Sequence, residues 1–557
     1  MRRNALVAAA VLVPWGVGAA PARPPGSWCG SSAASAIEAV LAHREQVARR
    51  GEVRIASAAA STDVGEIAVL LDEGDLALFE NPIDLRGVGL ALSLSGDGFR
   101  ATRADSAVGA QAGPTLPLGD DDTRRTPLPF SFPFYGASYQ DVYVNSDGNL
   151  TFGAGDAAST DRDLSRLSSG PPRIAPLLAD LDPTAGGTVR VLEEAERFTV
   201  TWTDVPRWGE QDRNTFRVTL RPDGSIELAY DVVGSSLTGV VGVAPGNGSG
   251  PLVGLDLSAA AGEEGRALAE TFRPDDELDI VATARRFIAT HSDDFDQLVV
   301  FTTQRLVEQG TLAYQSTVRN STRGIGIGAF DLSSEFGSAG RLESFVMMDH
   351  VTKYPQDPAE VGFPPDSTLS VLAHETGHRW LARVEFMDGT TRRDTLLGRQ
   401  SAHWSFFMNS LASFLEGNEI EDLGSGAFRT VAASVRYSPL DQYLMGIRTP
   451  GEVPDFFYVS QVSGTGITDT GANPLVGVSF GGVRNDVSVG DVIAAEGVRD
   501  PAPDSPAEPW RQAFVLVAIG GPPGEDVIAH VERIRQAWPA FFAGGVEGRW
   551  SVRTELR

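Results

Sequence analysis

The sequence has almost no cysteine and almost no lysine. Cys29 is the only cysteine of the 557 residues, so no disulfide can form within one chain and stability must come from packed sheets and cores. Lys353 is the only lysine, and 73 acidic residues against 46 basic ones give a formal charge of -27. A chain this acidic is repelled by nucleic acid and by anionic membranes, so we expect neither as a partner.

Long apolar runs are also absent after residue 22, and none approaches the roughly 20 residues that a membrane-spanning helix needs. Residues 1–22 carry Arg2 and Arg3, then an apolar run, then small residues. This order is typical of a Sec-type signal peptide, which is removed on export. We therefore expect a secreted, extracellular bacterial protein without a membrane span.

The length of the chain exceeds what a single hydrophobic core supports, so the protein should be multidomain. Changes in composition and in hydrophobic periodicity indicate the boundaries. We predict a signal peptide at 1–22, an N-terminal helical segment at 23–60, a β-rich region at 61–255, a linker at 256–270 and a last domain at 271–557.

Short β patterns separated by tight turns fill the region from about 126 to 250. Its motifs are FPFYG at 132–136, VNSDGNLTFG at 144–153, IAPLLADLDP at 174–183, TWTDVP at 201–206 and NTFRVTLRPDG at 214–224. In this order they resemble the nidogen-like (NIDO) extracellular domain. The resemblance implies an antiparallel β-sandwich that binds an extracellular protein or matrix ligand or acts as a spacer, and it implies no active site there.

Four oxygen-bearing side chains in these motifs are candidates for a calcium site, because hard cations favour such ligands. They are Asn145, Asp147, Asp180 and Asp182. The same residue types also favour tight turns, so turn chemistry explains them as well. The sequence leaves both interpretations open.

The segment 369–381 is the most informative stretch of the chain. It contains His374 and His378, which a helix places on one face, one turn apart. Both imidazoles can then reach one ion, and Glu375 can take a proton from a water on that ion. This is the HExxH pattern of zinc hydrolases, and we predict one catalytic Zn2+ with Glu375 as the base. Two ordinary surface histidines on a helix are the alternative.

A catalytic zinc needs a third protein ligand, and the metzincin continuation is missing because Leu381 and Val384 occupy its key positions. Imidazole suits zinc, so His403 is the first candidate. Asp441 and Glu416 are alternatives, as analogues of the aspartate ligand of aspzincins and the glutamate ligand of gluzincins.

Two further features near the motif have two interpretations each. Tyr443, in YSPLDQYLMG at 437–446, is a candidate hydrogen-bond donor to a developing oxyanion, and a plain core role is its alternative. The apolar segment around 345–347 would form either the edge strand of a substrate cleft, where an extended peptide could pair, or a buried core strand.

The region from Ser292 to about Leu556, within the predicted metallopeptidase domain at 271–557, broadly resembles the bacterial secreted zinc metallopeptidases of the immune inhibitor A and metzincin-like group, chiefly through HETGH at 374–378. The resemblance implies an α+β zincin-type domain that follows the sandwich, and a protein or peptide substrate. We therefore predict a secreted zinc endopeptidase. The alternative is a non-catalytic adhesion or matrix-binding protein with a structural metal.

Overall fold

The computed structural model describes residues 28–32, 61–78, 80–109, 112–159, 162–247, 252–307, 311–503 and 508–557. They form a multidomain, mainly β structure with several antiparallel sheets and one mixed sheet. The α-helices in this part of the chain are α1 (Leu164–Ser168), α2 (Ile280–Thr290), α3 (Thr368–Gly377), α4 (Pro439–Met445), α5 (Val489–Glu496) and α6 (Glu525–Gly545). None of the described helices is long and apolar enough to cross a membrane. The predicted signal peptide lies outside the described residues.

Two seven-stranded sheets make up the first β region. One is antiparallel except for a parallel pair at its end, and its strands in spatial order are Leu252–Gly254, Ala267–Phe272, Gly239–Ala244, Arg173–Leu178, Asn149–Thr151, Ala137–Asn145 and Thr123–Phe134. The other is antiparallel throughout, with the order Thr188–Glu194, Arg197–Val205, Asn214–Leu220, Ile226–Val232, Gly89–Ser95, Gly98–Ala104 and Ala261–Gly265.

The two sheets share one hydrophobic core. Phe134 of the first sheet and Trp202 and Phe216 of the second are fully buried in it, and the last two rings stack with centroids 5.0 Å apart. Burying such side chains contributes about 1.5–3 kcal/mol each to folding. Gly148, in the hairpin turn of the first sheet, has a φ of +67°, and a Cβ there would lie 2.1 Å from the Leu177 carbonyl oxygen.

The stretch 256–270, for which the sequence predicts a linker, instead belongs to these sheets. It contains the 3-10 helix Leu257–Ala259 and the strand Ala261–Gly265, and it enters the strand Ala267–Phe272. Leu257 and Leu268 are buried in the shared core. The small residues of this stretch therefore allow close packing between strands, which composition alone does not distinguish from flexibility.

An eight-stranded mixed sheet lies next to the HExxH helix and draws strands from both ends of the chain. Its spatial order is Trp28–Ser32, Thr311–Thr317, Ser344–His350, Gln297–Thr302, Trp510–Ala518, Ile67–Leu71 and Ser61–Val64, and Val552–Arg553 also pairs with Trp510–Ala518. Its first strand lies within 23–60, which the sequence predicts to be helical. The other residues of that segment lie outside the described part of the chain.

The strand Ser344–His350 is interior, so the edge-strand interpretation of 345–347 is wrong. It pairs antiparallel with Thr311–Thr317 on one side and parallel with Gln297–Thr302 on the other. Phe345, Val346 and Met347 are fully buried. Both rows of backbone hydrogen-bonding groups are already paired, which leaves no free edge for a peptide at this strand.

Helix α3 is anchored to this sheet by a buried polar chain. Thr376 donates from Oγ1 to Oε1 of Gln297 at 3.2 Å, and Gln512 Nε2 donates to the same oxygen. Gln512 accepts in turn from Trp538 Nε1 of α6 at 2.6 Å. Side chains of two helices and two strands are thus joined in one network beneath the candidate site, with each of the four fully buried.

The remaining elements are small and lie around these sheets. A four-stranded antiparallel sheet has the order Asn418–Gly424, Ala427–Ala433, Ser479–Val487 and Phe456–Ser463. Two-stranded pairs join Ala77–Leu78 to Glu277–Leu278, Arg319–Asn320 to Phe330–Asp331, Val361–Phe363 to Asp366–Ser367, and Phe386–Asp388 to Thr391–Arg393. Further 3-10 helices span Val351–Lys353, Arg399–Ser401 and Pro450–Glu452.

Candidate metal centre

The first two candidate ligands are placed by the short, strongly capped helix α3. Its N-cap is Ser367, whose Oγ accepts from the backbone N–H of Ser370, while Ser370 Oγ accepts from the N–H of Ser367. The helix ends at Gly377, and the N–H of His378 still bonds to the carbonyl oxygen of His374 at 3.2 Å. The one-turn spacing that the HExxH pattern requires is therefore preserved at the helix end.

His403 joins these two histidines from a loop. Its Nε2 lies 3.2 Å from Nε2 of His374, which lies 3.0 Å from Nε2 of His378. Nitrogens that hold a tetrahedral zinc at about 2.0–2.1 Å lie about 3.3 Å from one another. The three histidines thus form a buried group that could hold a metal ion, with one nitrogen from each within 4.8 Å of the others.

Backbone carbonyls fix the orientation of two of these rings. Nδ1–H of His374 donates to the carbonyl oxygen of Phe414 at 2.8 Å, and Nδ1–H of His403 donates to that of Arg399 at 2.8 Å. Because a carbonyl only accepts, each ring carries its proton on Nδ1 and presents the lone pair of Nε2. Outer hydrogen bonds of this kind are typical of metal-binding histidines. Nδ1 of His378 has no hydrogen-bond partner among the described residues.

Burial keeps all three imidazoles neutral. His374 is 5% exposed, and His378 and His403 are fully buried. Desolvation lowers the pKa of His374 to about 4, and it lowers the pKa values of His378 and His403 well below their usual range. Uncharged rings with convergent lone pairs are the form in which histidine binds a metal.

Asp441, an alternative third ligand, caps the short helix that contains it and contacts Trp404. Its carboxylate accepts from the backbone N–H of Ser438 at 2.7 Å, which caps α4, and from Nε1–H of Trp404 at 3.0 Å. Within the described residues it is not part of the metal-competent group. Burial raises the pKa of Asp441 to about 6. The structure therefore uses Asp441 to position Trp404, the neighbour of His403.

Glu416 also lies outside the group of three histidines in the described structure, but close to it. It forms an ion pair with Arg399, whose Nη2 lies 3.1 Å from Nε2 of His403. The carboxylate of Glu416 is thus directed at a guanidinium, whereas a ligand would be directed at the ion.

The two predicted catalytic side chains are both buried. Glu375 is fully buried on α3 between the histidines in sequence. The hydroxyl oxygen of Tyr443 accepts from the backbone N–H of Arg499 at 3.2 Å. Tyr443 also packs in the hydrophobic cluster around α3, which is the core role left open by the sequence.

Two of the four calcium candidates, Asp147 and Asp180, contact the same guanidinium group, that of Arg162. Asn145 makes side-chain hydrogen bonds to Asn149 and Thr151 within its hairpin. Asp147 is buried between two guanidinium groups, with Arg162 at 3.0 Å and Arg166 at 2.9 Å. The negative charge of Asp147 is therefore balanced by two guanidinium groups and does not need a calcium ion.

The other two candidates are partly exposed in the same domain. Asp180 groups with Asp120 and Asp121, which the sequence analysis did not single out, while Asp182 accepts from the N–H of Thr184 at 2.8 Å. Burial and neighbouring carboxylates raise the pKa values of Asp120 and Asp180 to about 6. Acidic clusters are common without an ion, and calcium stays a prediction.

Comparison with known proteins bears on the first β region. Residues 99–262 match the family model described as NIDO related. This part of the chain is a NIDO-related domain. The match includes most strands of the two seven-stranded sheets, and it confirms the nidogen-like resemblance while extending it beyond 126–250. No curated protein and no solved structure matches the chain. The matched residues end before His374, so the metallopeptidase resemblance stays a prediction.

Proposed function

We propose that the protein is a secreted zinc endopeptidase whose metal is held by His374, His378 and His403. The observation that carries the proposal is the close approach of three neutral imidazoles, since Nε2 of His374 lies 3.0 Å from that of His378 and 3.2 Å from that of His403. Three histidines are the ligand set of a catalytic zinc, which keeps a fourth position for water or substrate.

Glu375 gives this site its hydrolytic character. A zinc ion would act as a Lewis acid on the scissile carbonyl and lower the pKa of a bound water. Glu375 would accept the proton of that water and pass it to the leaving amine. A purely structural zinc has no use for a carboxylate between the two histidines of the helix.

In this proposal the mixed sheet, α3 and α6 form the core of an α+β zincin-type domain. The NIDO-related domain is an antiparallel β-sandwich that binds an extracellular protein or matrix ligand. Export by the predicted signal peptide would place both domains outside the cell, where protein substrates are available.

Zinc content and hydrolysis of casein by the purified chain test the proposal. We expect about one zinc per chain, measured by mass spectrometry, and cleavage that stops when a chelator removes the metal. Glu375→Gln should keep the zinc and lose activity by about 100-fold or more. Glu421→Gln, an equal change at an exposed ion pair, is the matched control. Full activity of Glu375→Gln would refute the assigned base.

A second function, a non-catalytic matrix-binding protein with a structural metal, is favoured by the burial of the three histidines and by the NIDO-related domain. Removing the metal discriminates between the two functions. A structural ion contributes folding free energy, so chelation should lower the melting temperature strongly. If the chelated protein keeps its fold and loses only hydrolysis, the endopeptidase is supported.

A further inference from the structure

A buried ion pair lies directly beside the three histidines. Arg399 and Glu416 contact each other at two points, one of them 3.3 Å between Nε and Oε2. Their side chains are only 11% and 12% exposed. Nη2–H of Arg399 also donates to Nε2 of His403 at 3.1 Å, since Nδ1 carries the proton of that ring. One guanidinium therefore donates to the lone pair that His403 would offer to an ion, and an ion that takes this lone pair frees the N–H for another acceptor.

Stability alone does not explain this arrangement. Taking two charges out of water costs about as much as their attraction returns, so a buried pair adds little to folding. Glu416 also has a φ of +59°, a left-handed conformation that is uncommon outside glycine and costs about 1 kcal/mol or more. Two unfavourable features that coincide at one site indicate a functional constraint.

The charge balance around the histidines points to an anionic ligand. Arg383 and Arg399 both act electrostatically on His378 and His403. Glu416 acts on His374 with the opposite sign to Arg399, and a divalent ion would add two positive charges to this site. A site of this kind attracts a negatively charged group from the substrate.

We propose that Arg399, held in place by Glu416, is the anion-binding group of this site and takes an anionic oxygen of the substrate beside the metal. The proposal rests on the zinc peptidase function proposed above. Two oxygens have the required chemistry: the terminal carboxylate of a peptide, and the scissile carbonyl oxygen as it gains negative charge. The planar guanidinium can donate hydrogen bonds to either.

Acetate is a suitable probe because it is a carboxylate and does not depend on turnover. The full chain is loaded with cobalt, whose visible absorption reports on its surroundings, and is titrated with acetate. We expect saturable binding by the wild type and at least 10-fold weaker binding by Arg399→Gln. Arg399→Lys keeps the positive charge but cannot donate two parallel hydrogen bonds to a carboxylate, so its affinity for acetate should lie between those of the wild type and Arg399→Gln. Arg429→Gln, at an exposed ion pair, is the matched control.

The outcomes separate this proposal from the function on which it rests. A wild-type chain that takes up no cobalt contradicts the metal centre itself. If all variants bind one cobalt and Arg399→Gln still binds acetate like the wild type, the anion-binding role is wrong. It is also wrong if Arg399→Gln loses the cobalt, because Arg399 would then serve only to position His403.

Peptide substrates distinguish the two sources of the anionic oxygen. If Arg399 takes a terminal carboxylate, amidation of the peptide raises KM at least 10-fold in the wild type and leaves Arg399→Gln unaffected. If it takes the developing oxyanion, Arg399→Gln lowers kcat about 100-fold with little change in KM, and amidation has no effect. The proposal would be contradicted if neither amidation of the peptide nor Arg399→Gln changed kcat or KM.

Discussion

The hydroxyl group of Tyr437 donates a hydrogen bond of 2.6 Å to the carbonyl oxygen of Ala373, the residue directly before His374. Tyr437 lies just before α4 and is fully buried against Phe414 and Phe542. The helix that carries two of the three histidines is thus fixed by a second element as well as by the sheet. Contacts of this kind restrict the movement of the histidine side chains, and a metal site requires ligands in fixed positions.

Tyr437→Phe should remove this hydrogen bond and little else. We expect the free energy of unfolding, measured by denaturant titration, to fall by about 1 kcal/mol, with zinc stoichiometry unchanged. Tyr458→Phe is the control, because Tyr458 is only partly buried against the hydrophobic cluster that contains Tyr437, and its bond to Asn485 is made by the backbone carbonyl. An equal loss in both variants would show that the bond to Ala373 contributes nothing specific.

Gln512→Leu should be more damaging, because Gln512 is the centre of the buried polar chain. The substitution leaves Nε1–H of Trp538 without its partner in the core and removes one of the two hydrogen bonds that Oε1 of Gln297 accepts. Unsatisfied buried groups cost about 1–3 kcal/mol each, so the free energy of unfolding should fall by about 2–4 kcal/mol. Gln536→Leu on the exposed face of α6 should change it by less than about 0.5 kcal/mol.

Asp441→Asn should leave metal binding intact, since the structure gives Asp441 the roles of helix cap and partner of Trp404. The asparagine side chain still offers one acceptor oxygen. We expect one zinc per chain, with an affinity within about 10-fold of the wild type. Loss of the zinc would restore Asp441 as a candidate ligand.

The stability of the fold should also depend on pH through Asp441. Burial raises its pKa in the folded state to about 6, above the ordinary value near 3.8. The folded state therefore binds the proton more tightly, so its contribution to stability is lost as the pH rises from about 4 to 6. The upper limit of this loss is about 3 kcal/mol. Asp441→Asn should show a correspondingly smaller fall across this range, measured by denaturant titration at each pH.

The convergence of the histidines was predictable to different degrees. His374 and His378 follow from helix geometry, because residues four apart share a face. His403 was suggested by the clustering of histidines in sequence and by the metal's preference for imidazole. The hydrogen bonds from two of these histidines to the carbonyl oxygens of Phe414 and Arg399 could not be predicted from the sequence. Every residue has a carbonyl group, and its direction depends on the path of the folded chain. The Arg399–Glu416 pair has no local signal either, because only the path of the chain brings these two side chains together.

The fold shows a similar division between local and long-range features. Turn motifs around Gly148 and the order of the β patterns identify the NIDO-related domain, because hairpins are encoded locally. The strand Ile67–Leu71 pairs with Trp510–Ala518, which is far away in sequence. No local sequence pattern predicts this pairing. The interior position of Ser344–His350 depends on the strand Thr311–Thr317 that covers it. Periodicity distinguishes strands from helices but does not determine their neighbours.

Zinc titration of the metal-stripped full chain, followed by calorimetry, tests the central claim most directly. We predict one tight site in the wild type, and a loss of affinity of about 100-fold or more in His403→Ala, because one of three ligands is gone. His350→Ala, at a partly exposed histidine, should bind like the wild type. Absence of a tight site in the wild type, or wild-type affinity in His403→Ala, would contradict a metal centre built from these three histidines.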